Sequence, residues 1–324
     1  MLHDTFTIHK IVSSLRTGHA SLARSVLKAQ RGGSRRMATG RGYCVVPDFG
    51  RTTVIISMLP HLAAAATPTG SEIFFSEFFG TLILIMFGAG TCATNNLLKS
   101  KGHGGGWLMI NFGWGLAVYM GVYAAWKTGG HLNPAVTIAK AVWHGFDSKV
   151  TLNGPSVADG GIPVNATNVI LYIVAQFLGA FVGAVIAWLA YKLQFDQEME
   201  DPAMKLYCFS TAPEERSNGW NVVTEAIGTF ALIVFVMVSG GTPTQVGPLA
   251  VALCIVVIGI ALGGPTGYAI NPARDLSPRI AFAILPMKNG KSDAQWSYAW
   301  VPVVGPIIGA ILAVFVVLAV GMAG

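Results

Sequence analysis

Hydrophobic and polar positions alternate along this chain on the scale of a bilayer rather than of a single helix face. Charged residues are absent from Phe78 to Leu98, from Trp107 to Trp126, from Gly160 to Tyr191, from Ala226 to Ala273 and from Tyr298 to Gly321. About 20 apolar residues cross the hydrocarbon of a membrane as a helix, so each run holds one crossing. The longest has room for two, broken at Gly240-Gly241-Thr242-Pro243. The pattern predicts six full spans: Ser71–Asn95, Trp107–Trp126, one after Asp159, one from about Trp220, one after Pro243, and Tyr298–Gly321.

Two shorter stretches do not fit that scheme. GGHLNPAVTIAK and TGYAINPARDL are Gly-rich and polar, and each opens a helix-compatible run too short to cross; Asn133 to Ala139 gives seven residues before the charge at Lys140. Asn suits a helix N-cap and Pro the first helical position, where its missing N–H costs nothing. The triplets Asn133-Pro134-Ala135 and Asn271-Pro272-Ala273 therefore predict half-helices that start inside the membrane. Non-helical backbone at that depth is tolerated only where it lines a cavity or is buried in protein, and paired interruptions in two chain halves point to a transport site.

The halves also echo each other elsewhere. Glu77-Phe78-Phe79-Gly80-Thr81 returns as Glu225-Ala226-Ile227-Gly228-Thr229. With three full spans each, the halves insert in opposite orientations, so the half-helices enter from opposite faces and meet near the midplane. The expected organisation is a tail at 1–70, a first repeat at 71–192, a loop at 193–218 and a second repeat at 219–324. Gly179 with Gly183, and Gly305 with Gly309, have the small-residue spacing that lets helices approach closely.

Composition agrees with a polytopic membrane protein: 53% of the 324 residues are hydrophobic, 11% are charged, and the mean hydropathy is +0.57. Charge changes the picture only at the start. Residues 1–57 carry nine Lys/Arg against Asp4 and Asp48, a net of +7, so the other 267 residues hold −1 of the chain's +6. The basic character belongs to the tail and indicates no nucleic-acid partner for the rest. Three readings of the tail stay open: a cytoplasmic basic segment, a transit-like segment, or translated upstream sequence with the working start at Met37 or Met58. The positive-inside rule puts it, with both termini, on the cytoplasmic side, and the acidic 193–218 loop outside. Cys44, Cys92, Cys208 and Cys254 show no metal or redox spacing, and no cofactor is expected.

Buried charges are costly in lipid and mark function or internal pairing. Glu77 and Glu225 are expected to face inward and accept hydrogen bonds. Arg274, directly after the second triplet, is read as cavity-facing, or else as a structural arginine paired with Asp275 or Glu225. Two helix N-termini meeting head-on concentrate positive potential, about half a charge each, which repels cations and protons. The Asn133 and Asn271 amides can donate to a passing oxygen, and the backbone at Gly129, Gly130, His131, Gly267, Tyr268 and Ala269 can offer carbonyl acceptors. His131 either lines this path or is a satisfied structural histidine.

From Ser71 to Gly324 the chain resembles the aquaporin, or major intrinsic protein, family through its paired Asn-Pro-Ala boxes. The resemblance implies the all-α hourglass fold, six transmembrane helices plus two half-helices in inverted repeats, assembled as a homotetramer. It also implies a selectivity constriction at Trp114, Gly259, Tyr268 and Arg274. Water-selective relatives typically have His where Gly259 stands. Gly259 is expected to leave the passage wide, with Trp114 and Tyr268 as an apolar corner opposite Arg274. That combination, with Asp275 after Arg274, resembles the glycerol-facilitator branch; Tyr268 departs from the Phe common there. The implied function is passive conduction of glycerol, other small neutral solutes and water across the plasma membrane. A water-selective channel and a structural junction protein with a residual pore are the alternatives. No nucleotide loop, metal spacing or nucleophile constellation suggests an enzyme.

A chain beginning at Met58 is expected to insert, assemble and conduct like the full chain, since residues 1–57 hold no apolar stretch able to pack on the spans. Loss of insertion or assembly in that shortened chain, read by membrane fractionation and native electrophoresis, would refute this.

Overall fold

The computed structural model describes residues 66–243 and 245–322. The expectations for residues 1–57 lie outside them. Eight helices of ten or more residues order the described chain: α1 (Gly70–Asn96), α2 (Trp107–Ala124), α3 (Pro134–Trp143), α4 (Ala166–Ala190), α5 (Asn218–Val238), α6 (Pro248–Leu262), α7 (Pro272–Ile284) and α8 (Val301–Ala319). The boundaries follow local chemistry. Thr69 opens α1 with a capping box, its side chain accepting from the Glu72 N–H while Glu72 accepts from the Thr69 N–H. Asn165 caps α4 by accepting from the Asn168 N–H.

Among the described residues, α1, α2, α4, α5 and α8 are long and apolar enough to cross a membrane. The remaining one of the six predicted spans corresponds to α6, a shorter apolar helix. Its 15 residues give about 22 Å of helix, below the roughly 30 Å of hydrocarbon. Pro248 fixes its start, after a one-turn helix at Ser239–Gly241 and irregular backbone.

Glycines let the spans touch through their backbones. A Cβ on Gly179 or Gly183 of α4 would lie 2.2 Å from the Phe78 carbonyl oxygen or 2.4 Å from that of Leu82, both in α1. A Cβ on Gly309 of α8 would lie 2.1 Å from the Ala226 carbonyl oxygen of α5. The α1–α4 and α5–α8 pairs thus repeat one packing solution. The half-helices cross between the halves: α3 packs on α8, and α7 on α4. Large apolar side chains such as Leu108, Ile170, Val257 and Phe315 point outward, where lipid or a neighbouring subunit, not water, suits them.

The 193–218 loop is less polar in space than in sequence. It folds into one-turn helices at Lys192–Phe195 and Ala203–Leu206, and Phe195, Leu206 and Phe209 are buried. Lys205 is buried too, its ammonium donating to the Lys288 and Gly290 carbonyls. Asp196 accepts from Lys192 and from the Lys288 N–H; the Lys192 hydrogen bond holds its carboxyl below the usual range. At the end of α7, Lys291 donates to the carbonyls of Phe282, Ala283 and Leu285 at 2.7–2.9 Å, satisfying groups that a helix C-terminus leaves open.

Gly309→Val is expected to destabilise the protein by about 1–3 kcal/mol, the usual range for overpacking, because its side chain meets Ala226 backbone. Gly219→Val, where a Cβ meets nothing within 4 Å, is the control. Thermal unfolding in detergent checks the pair; equal midpoints would refute the close α5–α8 contact.

Candidate functional site

The two half-helices begin face to face. Asn133 and Asn271 have nearly the same extended backbone, φ −154° and −155°, and each caps the helix it precedes. The Asn133 Oδ1 accepts from the Ala135 N–H at 2.9 Å, and the Asn271 Oδ1 from the N–H groups of Ala273 and Arg274 at 3.0 and 3.2 Å. Their Nδ2 groups reach across: Asn133 donates to the Ile270 carbonyl and Asn271 to the Leu132 carbonyl, both at 2.8 Å. An amide carries two N–H donors, so each Asn keeps one for the lumen.

Leu132 and Ile270 sit at φ 53° and 44°, the left-handed region that branched side chains avoid. Such conformations persist only where the surroundings hold them. Here Glu77 accepts from the N–H groups of His131 and Leu132 at 3.0 and 2.8 Å, and from Thr128 and Gln176 at 2.6 and 2.8 Å. Glu225 accepts from the N–H groups of Ala269 and Ile270 at 3.0 and 2.8 Å, and from Thr266 at 2.7 Å. Both glutamates face inward, where the sequence puts them.

Two cavities lead to this centre. One, of about 240 Å³, is lined by Gly129, Gly130, His131, Asn133, Lys140, Ala269 and Asn271 among others. The second, of about 410 Å³, is lined by Cys92, Asn96, Trp107, Ser210 and Gly267 among others. Trp114, Tyr268 and Arg274 are the residues that line both, so the two cavities adjoin at these side chains. The Arg274 guanidinium carbon lies 4.0 Å from the centre of the Trp114 ring. One guanidinium nitrogen donates to the Phe209 carbonyl at 3.2 Å. The Trp114 indole rests against Gly88, and its N–H donates to the Cys92 sulfur at 3.3 Å. The sequence reading sets Trp114 opposite Arg274; the structure stacks the two, because a flat cation gains from the face of an indole.

Gly259 is also placed differently from expectation. It lines neither cavity. A Cβ there would lie 2.1 Å from the Asn111 Oδ1 and 2.6 Å from the Tyr268 ring; one on Gly263, a turn later, would lie 2.4 Å from the same ring. The two glycines form a cradle on α6 into which Tyr268 folds back. Gly259 therefore sits one layer behind the wall, against Tyr268. The Trp107 ring meets Tyr268 edge to face at 5.9 Å, and its N–H donates to the Gly259 carbonyl.

The family model described as major intrinsic protein matches residues 65–153 and 158–317. The chain belongs to the major intrinsic protein family. Among its relatives, the probable glycerol uptake facilitator of Thermotoga maritima is 48% identical over 245 residues, covering 74% of this chain and 96% of that one. The glycerol uptake facilitator of Bacillus subtilis is 48% identical over 239 residues, covering 73% and 80%. The X-ray structure of the aquaglyceroporin from Plasmodium falciparum superposes with a TM-score of 0.60 at 26% identity, covering 77% of this chain and 96% of that one.

Within this family fold, two further points bear on the passage. Arg274 is not paired with Asp275 or Glu225. Asp275 is engaged by Arg279, whose Nε and Nη2 donate to it at 3.0 and 2.7 Å, and by the Thr211 N–H and hydroxyl, both at 2.7 Å. Arg279 also donates to the Thr211 and Ala294 carbonyls at 2.7 Å. This buried pair anchors α7 to the 209–211 segment that holds Arg274. Sequence reasoning missed Arg279, although its i,i+4 spacing from Asp275 is the signal that finds it. His131 lines the first cavity, yet its ring nitrogens meet the Thr137 hydroxyl and the Leu152 carbonyl at 3.1 and 3.0 Å. It is a satisfied histidine in the wall.

Arg279→Leu leaves Asp275 buried without its cation, a loss of roughly 3–5 kcal/mol for a broken buried pair. The expected outcome is loss of folded protein on detergent gel filtration, and a normal profile would remove Arg279 from the anchor.

Proposed function

We propose that this chain is a passive channel for glycerol and related small neutral polyols, with water also passing, and that ions and protons are excluded. The observation that carries this reading is the meeting of both cavities at Trp114, Tyr268 and Arg274 alone. A polyol has a carbon side and a hydroxyl side. The two aromatic faces suit the first, and Arg274, with one donor on Phe209 and the rest of its five N–H groups without an acceptor among the described residues, suits the second. A polyol entering between Arg274 and Trp114 replaces a cation–ring contact with hydroxyl hydrogen bonds on one side and carbon packing on the other.

Beyond the constriction, the free N–H of Asn133 and of Asn271 receives the solute oxygen. The two half-helix N-termini add positive potential there, as does Arg274. A cation loses its hydration shell against that potential without replacement, whereas a neutral solute does not meet the barrier. Conduction of this kind breaks no bond and needs no cofactor. The glycerol facilitators among the relatives support the choice of solute.

We further read residues 71–192 and 219–324 as the inverted repeats of a plasma-membrane channel. Both termini are cytoplasmic, the 193–218 loop is outside, and four copies with a pore each form the assembly. The tail's net charge supports that orientation.

Stopped-flow swelling of proteoliposomes tests the reading. Glycerol and water permeability are both expected to exceed those of empty vesicles, and Arg274→Val is expected to raise proton leak at least about tenfold, a barrier fall of roughly 1.4 kcal/mol, while glycerol flux survives. Water flux without glycerol flux would favour a water-selective channel, and no flux a structural role. An unchanged proton leak in folded Arg274→Val protein would remove Arg274 from the barrier.

A further inference from the structure

Behind the constriction, two polar groups are buried with no partner. Asn111 lies on α2, three residues before Trp114. It is fully buried, and neither atom of its amide makes a hydrogen bond to any described residue. The Tyr268 hydroxyl is likewise buried and unbonded, although the Tyr268 ring lines both cavities. Buried polar side chains are almost always satisfied, and leaving them unmet in a low-dielectric interior is costly.

The two groups flank one spot. The point where Gly259 would carry a Cβ is 2.1 Å from the Asn111 Oδ1 and 2.8 Å from the Tyr268 hydroxyl oxygen. Neighbouring groups are already committed: the Gly259 carbonyl accepts from the Trp107 indole and from the Gly263 N–H. A phenol donates and an amide oxygen accepts, so each is the partner the other lacks. The backbone beside Tyr268 is fixed by the Glu225 hydrogen bonds to Ala269 and Ile270, which leaves ring torsion as the free coordinate.

We propose that Asn111 is a positioning residue of the constriction: a small rotation of its side chain closes the gap across Gly259 to a hydrogen bond from the Tyr268 hydroxyl, and that bond keeps the Tyr268 ring folded back from the passage. Without that amide, the hydroxyl finds its partner in the water of the cavities. Reaching it swings the ring toward Arg274 and narrows the path for a carbon chain more than for water. A phenylalanine at 268 has no such need, so the requirement for Asn111 disappears with the hydroxyl. This proposal rests on the reading of Trp114, Tyr268 and Arg274 as the solute constriction.

The test is a double-variant cycle of Asn111→Leu and Tyr268→Phe, with glycerol and water permeability measured on the same vesicles and thermal midpoints in detergent. Asn111→Leu is expected to lower the glycerol-to-water ratio at least about tenfold, equivalent to roughly 1.4 kcal/mol of barrier. In the Tyr268→Phe background the same substitution is expected to leave the ratio unchanged and to cost less thermal stability than it does alone. An Asn111→Leu protein that fails to assemble unless Tyr268→Phe is also present supports the pairing. Equal effects in both backgrounds, no effect in either, or failure to assemble in both would overturn it, since each makes Asn111 independent of the hydroxyl. If the unsubstituted protein conducts no glycerol, the channel reading fails, while the thermal cycle still decides whether the two side chains are coupled.

Discussion

A chain that stops being helical at the middle of a bilayer has to satisfy its backbone without lipid or bulk water. Residues 128–132 and 266–270 meet that demand with one device used twice. A glutamate from the first helix of each half takes two consecutive N–H groups, and the asparagine of the opposite triplet takes the carbonyl of Leu132 or Ile270. Each loop is thus held from behind by a charge and from in front by the other loop. The remaining N–H of each asparagine is directed by bonds that cannot relax singly, because moving either asparagine releases a helix cap and a carbonyl together.

The constriction depends on that centre. Arg274 is the third residue of α7, so its position follows from the Asn271 cap, and its guanidinium is steadied by the Phe209 carbonyl and the Trp114 face. The Asp275–Arg279–Thr211 cluster binds the same helix to the segment carrying Phe209. The charged residues inside the protein therefore divide by role. Glu77, Glu225, Asp275 and Arg279 each make three or four internal side-chain hydrogen bonds, while the Arg274 guanidinium makes one among the described residues.

Much of this was legible beforehand, for definite reasons. Uncharged runs report membrane crossings because charge in hydrocarbon is so unfavourable, and Asn-Pro at a helix start has few other meanings between two spans. The inward glutamates followed from the same rule. What the sequence did not reveal lies in contacts between segments far apart in the chain. Nothing local distinguishes a Gly259 that faces the lumen from one that cradles a ring, since a glycine at either place reads alike. The stacking of Arg274 on Trp114 joins residues from different halves, and the burial of Phe195, Leu206 and Phe209 turns an apparently polar loop into a packed cap. The shortness of α6 was hidden because an uncharged run continues past both of its ends.

The double clamp on the central loops can be read directly from hydrogen exchange, residue by residue, by solid-state NMR of the full chain in lipid bilayers moved into D₂O. Leu132 and Ile270 line the first cavity and belong to no helix. If Glu77 and Glu225 hold their N–H groups as described, these exchange as slowly as the helical amides of α1 and α5. Exchange as fast as that of an open loop amide such as Gly154 would contradict the clamp and the fixed pore centre that depends on it.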